Sequence, residues 1–344
     1  MSEPFVLAVL GPLMPDGLEG RLQQVDVDVE VVHVPYFESN ELRTSRGHNA
    51  GKDPLGLAVP DLGPGDRANL ARAHGMVSLD LPDDIAVLAP RLRWFQGVGA
   101  GFDHIDRAAL ADMGAVQSTA SGIAAVPIAE FVVARLLQVW KHLRSLDDGQ
   151  NERAWVEQYG MQMEGRTLGI VGLGAIGRAL AVRARAFGMT VLATRGSARP
   201  GDTDPDVDEL WPATALDDVL PRCDAVVLCL PAAPEVQDLM DARRIALMAE
   251  GSILVNVARG MHVVEADLIE ALESGHLAAA VLDVTREEPL PAADPLWSAP
   301  NLYLSPHSAV SLDRYEATLF ELVADNLGRL LRGDDLRNVV GPPG

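Results

Sequence analysis

The sequence predicts an α/β protein of two domains with parallel sheets, and three observations lead to that prediction. At 344 residues the chain is longer than one domain usually is. Short runs of almost continuous apolar residues, such as TLGIVG and SILVNV, alternate with helical stretches such as RALAVRARAFGM. Because strands that are apolar throughout need cover on both faces, this alternation is typical of doubly wound sheets with helices on each side.

The elements follow in chain order. Apolar runs at 5–10 and 29–34 predict the opening strands, and HGMVSLDLP and LRWFQG resume the alternation later. Between them, residues 36–66 are rich in Gly, Pro, Asn and Asp and have no sustained period, which predicts a long irregular loop. Residues 126–144 predict one long helix with Pro127 in its first turn. Further strands are predicted at 167–172, 190–194, 225–230, 252–257 and 278–284, before a final helix in SLDRYEATLFELVADNLGRLLRG.

Charge and composition exclude several classes of protein. The formal net charge of −21 repels nucleic acid and anionic lipid surfaces. The two cysteines, Cys223 and Cys229, have neither the spacing of a metal clip nor the number of a disulfide framework, so we expect no metal and a reducing compartment. Glu3 stands where a signal peptide carries positive charge, and no apolar stretch reaches about 18 residues. A cytoplasmic protein that binds no membrane is therefore expected.

A glycine motif predicts dinucleotide binding. Gly172, Gly174 and Gly177 form a G-x-G-x-x-G array between an apolar strand and a helix. In that context the glycines permit a tight turn, close approach of a pyrophosphate and close packing of helix on strand.

The residue at the end of the next strand bears on which dinucleotide binds. An acidic residue usually follows the glycines by about 20 positions and binds the ribose hydroxyls. Here the position holds Arg195, followed by Ser197 and Arg199. An arginine suits a ribose 2′-phosphate, which predicts a preference for NADP(H), with NAD(H) possible. The alternative is that Arg195 and Arg199 are solvated turn residues and the protein is indifferent.

Three later strands are followed by polar residues of catalytic type: Arg259 in NVARG, Glu288 in LDVTREEPL and His307 in LSPHSA. Each alone could be a surface ion pair, a loop charge or a capping residue. Together, at the carboxyl edge of one sheet, they supply what reduction of a 2-keto acid requires: a fork for a carboxylate, a proton donor and a partner for that donor.

The motifs GLGAIG, ILVNVARGMHVVEADLIEAL, LDVTREEPL and LSPHSA resemble those of the D-isomer-specific 2-hydroxyacid dehydrogenase family, from about Leu92 to Asn338. The first ninety residues match only in outline, and the 36–66 segment resembles an insertion. The resemblance implies a Rossmann dinucleotide domain, residues 123–311, inserted into a flavodoxin-like substrate-binding domain of residues 1–122 plus 312–344. It also implies a homodimer in which the helix from Pro127 and the segment around Trp155 contact the second subunit.

The resemblance also implies roles for individual residues. Arg259 would bind the substrate carboxylate and polarise the carbonyl, and His307 would protonate the carbonyl oxygen. Glu288 would fix the tautomer of His307 and favour its proton-donating form. The turn made of Val98, Gly99, Ala100 and Gly101 would bind the substrate carboxylate through backbone N–H groups. Further cofactor contacts are implied for Ala175, Ile176, Leu230, Pro231, Val257, Ala258, Asp283 and Ser308.

Some features distinguish the chain from other members of that family. Ala233 and Val236 replace the family's usual threonines, which leaves the hydroxyl contacts expected there in doubt. The carboxylate turn lacks the lysine of phosphite dehydrogenases, and Glu288 stands where formate dehydrogenases have glutamine. The predicted function is therefore NAD(P)-dependent reduction of a small 2-keto acid of the glyoxylate or hydroxypyruvate type. The alternatives are another keto acid, the reverse oxidation, and a cofactor-sensing corepressor-like protein without turnover.

Overall fold

The computed structural model describes residues 3–13, 16–22 and 28–341. Its strands are β1 Phe5–Leu10, β2 Val29–Val34, β3 Gly75–Ser78, β4 Trp94–Gly97, β5 Val116–Ser118, β6 Thr167–Val171, β7 Thr190–Arg195, β8 Glu209–Pro212, β9 Ala225–Leu228, β10 Ser252–Asn256, β11 Leu277–Leu282 and β12 Leu302–Leu304. Its α-helices are α1 Asp16–Leu22, α2 Asn40–His48, α3 Pro64–Arg72, α4 Ile85–Leu88, α5 Arg107–Asp112, α6 Ala125–Trp140, α7 Leu143–Glu152, α8 Ala175–Ala186, α9 Leu216–Val219, α10 Ala242–Leu247, α11 Glu265–Glu273 and α12 Tyr315–Arg332.

The chain forms two compact units, Met1–Ile123 with Leu312–Gly344, and Ala124–Ser311. The first unit holds a five-stranded sheet in the order β2-β1-β3-β4-β5, and all its strand pairs are parallel. This is the flavodoxin-like order, in which the chain starts near the centre and winds outward in both directions. Every residue of β1 is buried, because alternate side chains enter two different apolar clusters, one on each face of the sheet.

The second unit holds a seven-stranded parallel sheet in the order β12-β11-β10-β9-β6-β7-β8. Counted within the unit this is 7-6-5-4-1-2-3, the dinucleotide-binding order with one further strand. Strand β10 shows why the apolar runs are continuous: Ile253 and Val255 pack on one face and Leu254 on the other. Both sheets are parallel and covered on two faces, which confirms the predicted fold class.

The irregular loop predicted over 36–66 is wrong in part, because the segment contains helix α2. This helix has little apolar periodicity, and Leu42 is its one buried apolar residue. It is held instead by an N-cap, where the Ser39 hydroxyl accepts the Leu42 N–H, and by two arginines that pair with buried carboxylates. A prediction from hydrophobic period cannot detect a helix stabilised in this way.

The single helix predicted over 126–144 is also wrong at its end. Helix α6 ends at Trp140, and α7 starts at Leu143 after His142 adopts a left-handed backbone conformation with φ 54°. The short strands β5 and β8 have no counterpart among the predicted strands. Strand β8 has the sequence ELWP and lies at the sheet edge, where a polar residue and a proline are tolerated.

Within the described ranges, no helix combines the length and the apolar composition that crossing a membrane would require.

Candidate active site

The glycine motif lies where the order of the seven-stranded sheet reverses, between β6 and β9. Gly172 directly follows β6 and has φ 101°, and a Cβ there would lie 2.7 Å from the carbonyl oxygen of Cys229, the residue directly after β9. Only glycine fits at this position, where the turn after β6 passes close to the backbone after β9. The N–H groups of Gly172 and Leu173 donate to the Thr194 carbonyl oxygen, which fixes the loop against β7. The reversal point of such a sheet is where a ligand crevice forms.

Helix α8 starts immediately after this turn. Gly174 is its N-cap and makes no side-chain cap, so the first amides of the helix, at Ala175, Ile176 and Gly177, keep their hydrogen-bonding capacity for an anion. A Cβ on Gly174 would contact no atom within 4 Å, whereas one on Gly177 would lie 2.6 Å from the Gly172 carbonyl oxygen. The open side at Gly174 and the tight packing at Gly177 fit a bound pyrophosphate.

The predicted cofactor residues Leu230 and Pro231 follow β9. The Leu230 backbone nitrogen is close enough to Gly172 that a Cβ there would lie 3.0 Å from it. They therefore flank the glycine turn.

Arg195 ends β7, beside Pro212 of edge strand β8. Its side chain is 31% exposed and its Nη1 lies 3.2 Å from Asp204 Oδ2. A cavity of about 430 Å³ lies next to this edge and is lined by Asp204, Trp211 and Pro212 among others. Because β7 and β8 occupy the opposite half of the sheet from β10, β11 and β12, this cavity is remote from the catalytic candidates.

Arg259 is held by the turn after β10. The fully buried Asn256 side chain accepts the Ala258 N–H at 3.0 Å and donates to the Arg259 carbonyl oxygen at 2.8 Å. Val257 and Ala258 are buried, and Arg259 is partly exposed. Gly260 completes the turn, since a Cβ there would lie 2.0 Å from the Thr285 carbonyl oxygen.

Glu288 and His307 form a hydrogen-bonded pair. His307 Nδ1 lies 2.8 Å from Glu288 Oε2, and the Thr285 N–H donates to the other carboxylate oxygen at 3.1 Å. Burial acts to raise the pKa of Glu288, but the hydrogen bond and charge of His307, the Thr285 N–H and the charge of Arg259 together hold it below its ordinary value. Because the Glu288 carboxylate occupies Nδ1 of His307, Nε2 is the ring nitrogen that can face a substrate.

Asp283 organises the turn that carries His307. Its buried carboxylate accepts the Ser305 hydroxyl at 2.7 Å, the Ser308 N–H at 2.9 Å and the Ala309 N–H at 3.1 Å. Its carbonyl oxygen accepts the His307 N–H at 2.7 Å. Asp283 therefore has a positioning role that the sequence did not reveal, in addition to the cofactor contact expected of it.

Sequence reasoning also missed Asn256 and Ser305. A polar residue at the end of an otherwise apolar strand, as in SILVN, could have indicated such a residue. A buried polar side chain must find hydrogen-bond partners, and here those partners are in the following turn.

In the other unit, the predicted carboxylate turn follows β4. The Val98 N–H donates to the Ser78 carbonyl oxygen at 2.9 Å, and the Val98 carbonyl oxygen accepts the Tyr315 hydroxyl at 2.6 Å. The amide of Val98 is thus already engaged, and the amides that can serve an anion belong to Gly99, Ala100 and Gly101. The Ala120 N–H donates to the Gly99 carbonyl oxygen, which further fixes the turn.

The seven-stranded sheet thus gathers Arg259, Glu288 and His307 on the carboxyl edge of three adjacent strands, β10 to β12, with the glycine turn at the reversal point and Arg195 beyond it. In the parts of the chain that the structure describes, no three His, Cys, Asp or Glu side chains are arranged to hold a metal ion.

Comparison with known proteins identifies the family. Residues 133–309 match the model of the D-isomer specific 2-hydroxyacid dehydrogenase, NAD binding domain. A D-3-phosphoglycerate dehydrogenase of Methanocaldococcus jannaschii is 31% identical over 271 residues, which are 76% of this chain and 49% of the relative, so the chain spans about half of its length. A glyoxylate reductase of Korarchaeum cryptofilum is 33% identical over 269 residues, 74% of this chain and 80% of the relative.

A solved structure agrees with the sequence matches. The NADPH-dependent glyoxylate/hydroxypyruvate reductase of Sinorhizobium meliloti, in complex with NADP and sulfate, superposes with a TM-score of 0.74 at 25% identity, covering 98% of each chain. The matched model, the relatives and the shared fold together show that this chain belongs to the D-isomer-specific 2-hydroxyacid dehydrogenase family of oxidoreductases.

Proposed function

We propose that the protein reduces a small 2-keto acid of the glyoxylate or hydroxypyruvate type to the D-2-hydroxy acid, with NADPH as the preferred cofactor. The observation that carries the proposal is the 2.8 Å pair of His307 and Glu288, on the sheet edge that also holds Arg259 and a glycine turn open to a pyrophosphate. The glyoxylate reductase relative and the NADP-bound neighbour support the substrate class and the cofactor.

Each residue has a defined task in this reaction. The guanidinium of Arg259 binds the substrate carboxylate and polarises the carbonyl oxygen. The imidazole of His307 donates a proton from Nε2 to that oxygen, and Glu288 holds the ring through Nδ1 and stabilises its positive charge before the transfer. When bound, the reduced nicotinamide supplies the hydride for the carbonyl carbon. In the other unit, the amides of Gly99, Ala100 and Gly101 are assigned to carboxylate binding.

The glycine turn and Arg195 would hold the cofactor. The amides at the start of α8 would bind the pyrophosphate, and Leu230, Pro231, Val257 and Ala258 would contact the cofactor. Arg195 binds the ribose 2′-phosphate in place of the acidic residue that would select NAD(H). The substitution Arg195→Asp is expected to invert the preference for NADPH over NADH, measured as the ratio of kcat/KM for the two cofactors. An unchanged ratio would reject the assignment.

We also propose a homodimer. The segment beyond α7 exposes Trp155 by 95% and Tyr159 by 82%, and two large aromatic side chains so close together in solvent are typical of a protein contact surface.

A kinetic panel tests the activity. Purified protein is supplied with NADPH or NADH and with glyoxylate, hydroxypyruvate, pyruvate and longer 2-keto acids, and the chirality of the product is determined. We expect turnover of glyoxylate and hydroxypyruvate, and D-glycerate as the product from hydroxypyruvate, because the glycolate formed from glyoxylate has no stereocentre. Cofactor binding without consumption of any keto acid would instead favour a cofactor-sensing, corepressor-like protein.

A further inference from the structure

The loop after β7 places a nearly buried carboxylate between two arginines. Asp204, with a side chain 7% exposed, receives both Nη atoms of Arg178 at 2.8 Å and Nη1 of Arg195 at 3.2 Å. Asp206 adds a second carboxylate, 2.7 Å from Arg178 Nη1, and donates its N–H to Asp204. Two carboxylates thus balance two guanidinium groups.

The two arginines are used differently. Arg178 has both of its terminal nitrogens on Asp204, so its fork is saturated by the protein. Arg195 makes one contact through Nη1, while its Nε is buried and has no hydrogen-bond partner among the described residues. The Arg195 side chain is 31% exposed and its Nη2 makes none of the described hydrogen bonds, so this guanidinium has a donor left for an anionic ligand.

The Asp204 carboxylate also connects two elements that are assigned to the same cofactor. Arg178 belongs to the first turn of α8, whose amides face the pyrophosphate position, and Arg195 ends β7. Asp204 therefore links the pyrophosphate-binding helix to the arginine assigned to the ribose.

We infer that Asp204 is a positioning residue for cofactor selection, which holds the Arg195 fork in the orientation that binds a ribose 2′-phosphate. The inference rests on the proposed cofactor role of Arg195. Because the side chain of an arginine has many rotamers, a fixed carboxylate reduces the freedom that binding would otherwise have to remove. The lowered pKa of Asp204, caused first by its hydrogen bonds from Arg178, keeps the carboxylate charged at neutral pH.

Repulsion of the phosphate by Asp204 and positioning of Arg195 by Asp204 predict opposite effects on NADP⁺ binding when Asp204 is neutralised, so the inference can be tested. A carboxylate that only repelled the phosphate would, when neutralised, leave NADP⁺ bound more tightly. A carboxylate that positions Arg195 would, when neutralised, leave NADP⁺ bound less tightly and NAD⁺ unaffected.

The test measures binding rather than turnover. Dissociation constants of NADP⁺, NAD⁺, 2′,5′-ADP and 5′-AMP are determined by calorimetry for the wild type, Asp204→Asn and Asp204→Glu. Asp202→Asn is the matched control, because this exposed carboxylate of the same loop accepts only the Arg199 N–H among the contacts described. We expect Asp204→Asn to weaken NADP⁺ and 2′,5′-ADP by about tenfold, the effect of one charge-assisted hydrogen bond, and to change NAD⁺ and 5′-AMP less than about twofold. Asp204→Glu should recover part of the loss.

Three results would overturn the inference: unchanged binding of NADP⁺, tighter binding of NADP⁺, or equal losses for both cofactors, the last of which means that Asp204 only maintains the loop. Arg195→Ala, measured in parallel, separates this inference from the assignment beneath it. If Arg195→Ala weakens NADP⁺ selectively while Asp204→Asn does not, the positioning role fails and the cofactor assignment stands. If Arg195→Ala has no selective effect, the cofactor assignment itself fails.

Discussion

His307 has a left-handed backbone conformation, with φ 52°, which is uncommon for residues other than glycine and which asparagine, aspartate and histidine adopt most readily among them. The hydrogen bonds from the 305–309 turn to Asp283 hold it there. Strain of this kind persists where the surrounding structure fixes it, and it is often found at functional sites. The position thus aims the imidazole at Glu288.

The role of His307 as proton donor predicts the effect of His307→Asn, a change that tolerates the same φ. We expect kcat to fall by about 10²- to 10⁴-fold because the general acid is lost. The fold should persist, since the His307 side chain is 53% exposed. Steady-state kinetics and circular dichroism measure the two effects, and His48→Asn, at the exposed end of α2, is the control. A kcat within about twofold of wild type would remove His307 from the mechanism.

The lowered pKa of Glu288 predicts a pH dependence of stability. A carboxyl whose folded pKa lies below its ordinary value near 4.5 adds stability above that value, and this is lost as pH falls through the folded pKa. The free energy of unfolding should therefore decline more steeply below about pH 4.5 in the wild type than in Glu288→Gln. Urea denaturation followed by tryptophan fluorescence at several pH values measures the difference. Parallel curves for the two proteins would show that the pair adds no pH-dependent stability.

At the scale of elements, α2 is held by charge more than by apolar burial. Arg46, with a side chain 2% exposed, pairs with the buried Glu38 at 3.2 Å, and Arg43 binds the fully buried Asp80 at 2.6 Å. Removal of one partner from a buried pair leaves an uncompensated charge, which costs far more than loss of an exposed pair.

This difference predicts the stabilities of two arginine variants. At a pH well above 7, Arg46→Leu should lower the free energy of unfolding by about 3–5 kcal/mol, because Glu38, whose pKa burial raises to about 7, is then charged and would stay buried without its cation. Arg72→Leu removes an exposed pair with Glu30 and should cost at most about 1 kcal/mol. Urea denaturation measures both. If the two variants lose equal stability, the buried pair does not hold α2.

At the scale of the whole molecule, the exposed aromatic residues predict the oligomeric state. We expect the wild type to sediment at twice the 36.7 kDa mass of one chain, and a variant with Trp155→Glu and Tyr159→Glu to sediment as a monomer. Buried like charges at the contact would oppose association. Leu55→Glu, at a side chain 71% exposed in the other unit, is the control. A wild type that sediments as a monomer would reject the homodimer.

The sequence by itself determined the fold class, the strands of both sheets apart from β5 and β8, and the glycine turn, because these follow from local hydrophobic period and from backbone constraints at single glycines. It also supplied the identities of Arg259, Glu288 and His307 as candidates, since parallel strands bring their carboxyl ends to one edge.

Only the tertiary structure decided which side chains meet. It brought Glu288 to 2.8 Å from His307, as the family resemblance implied, gave Asp283 the role of holding the 305–309 turn, and placed Asp204 between Arg178 and Arg195. It also revealed α2, which is stabilised by charged pairs and has no apolar stripe from which a helix could be predicted. These contacts join residues far apart in the chain, and a hydrogen bond or ion pair depends on distances and directions that neither composition nor period encodes.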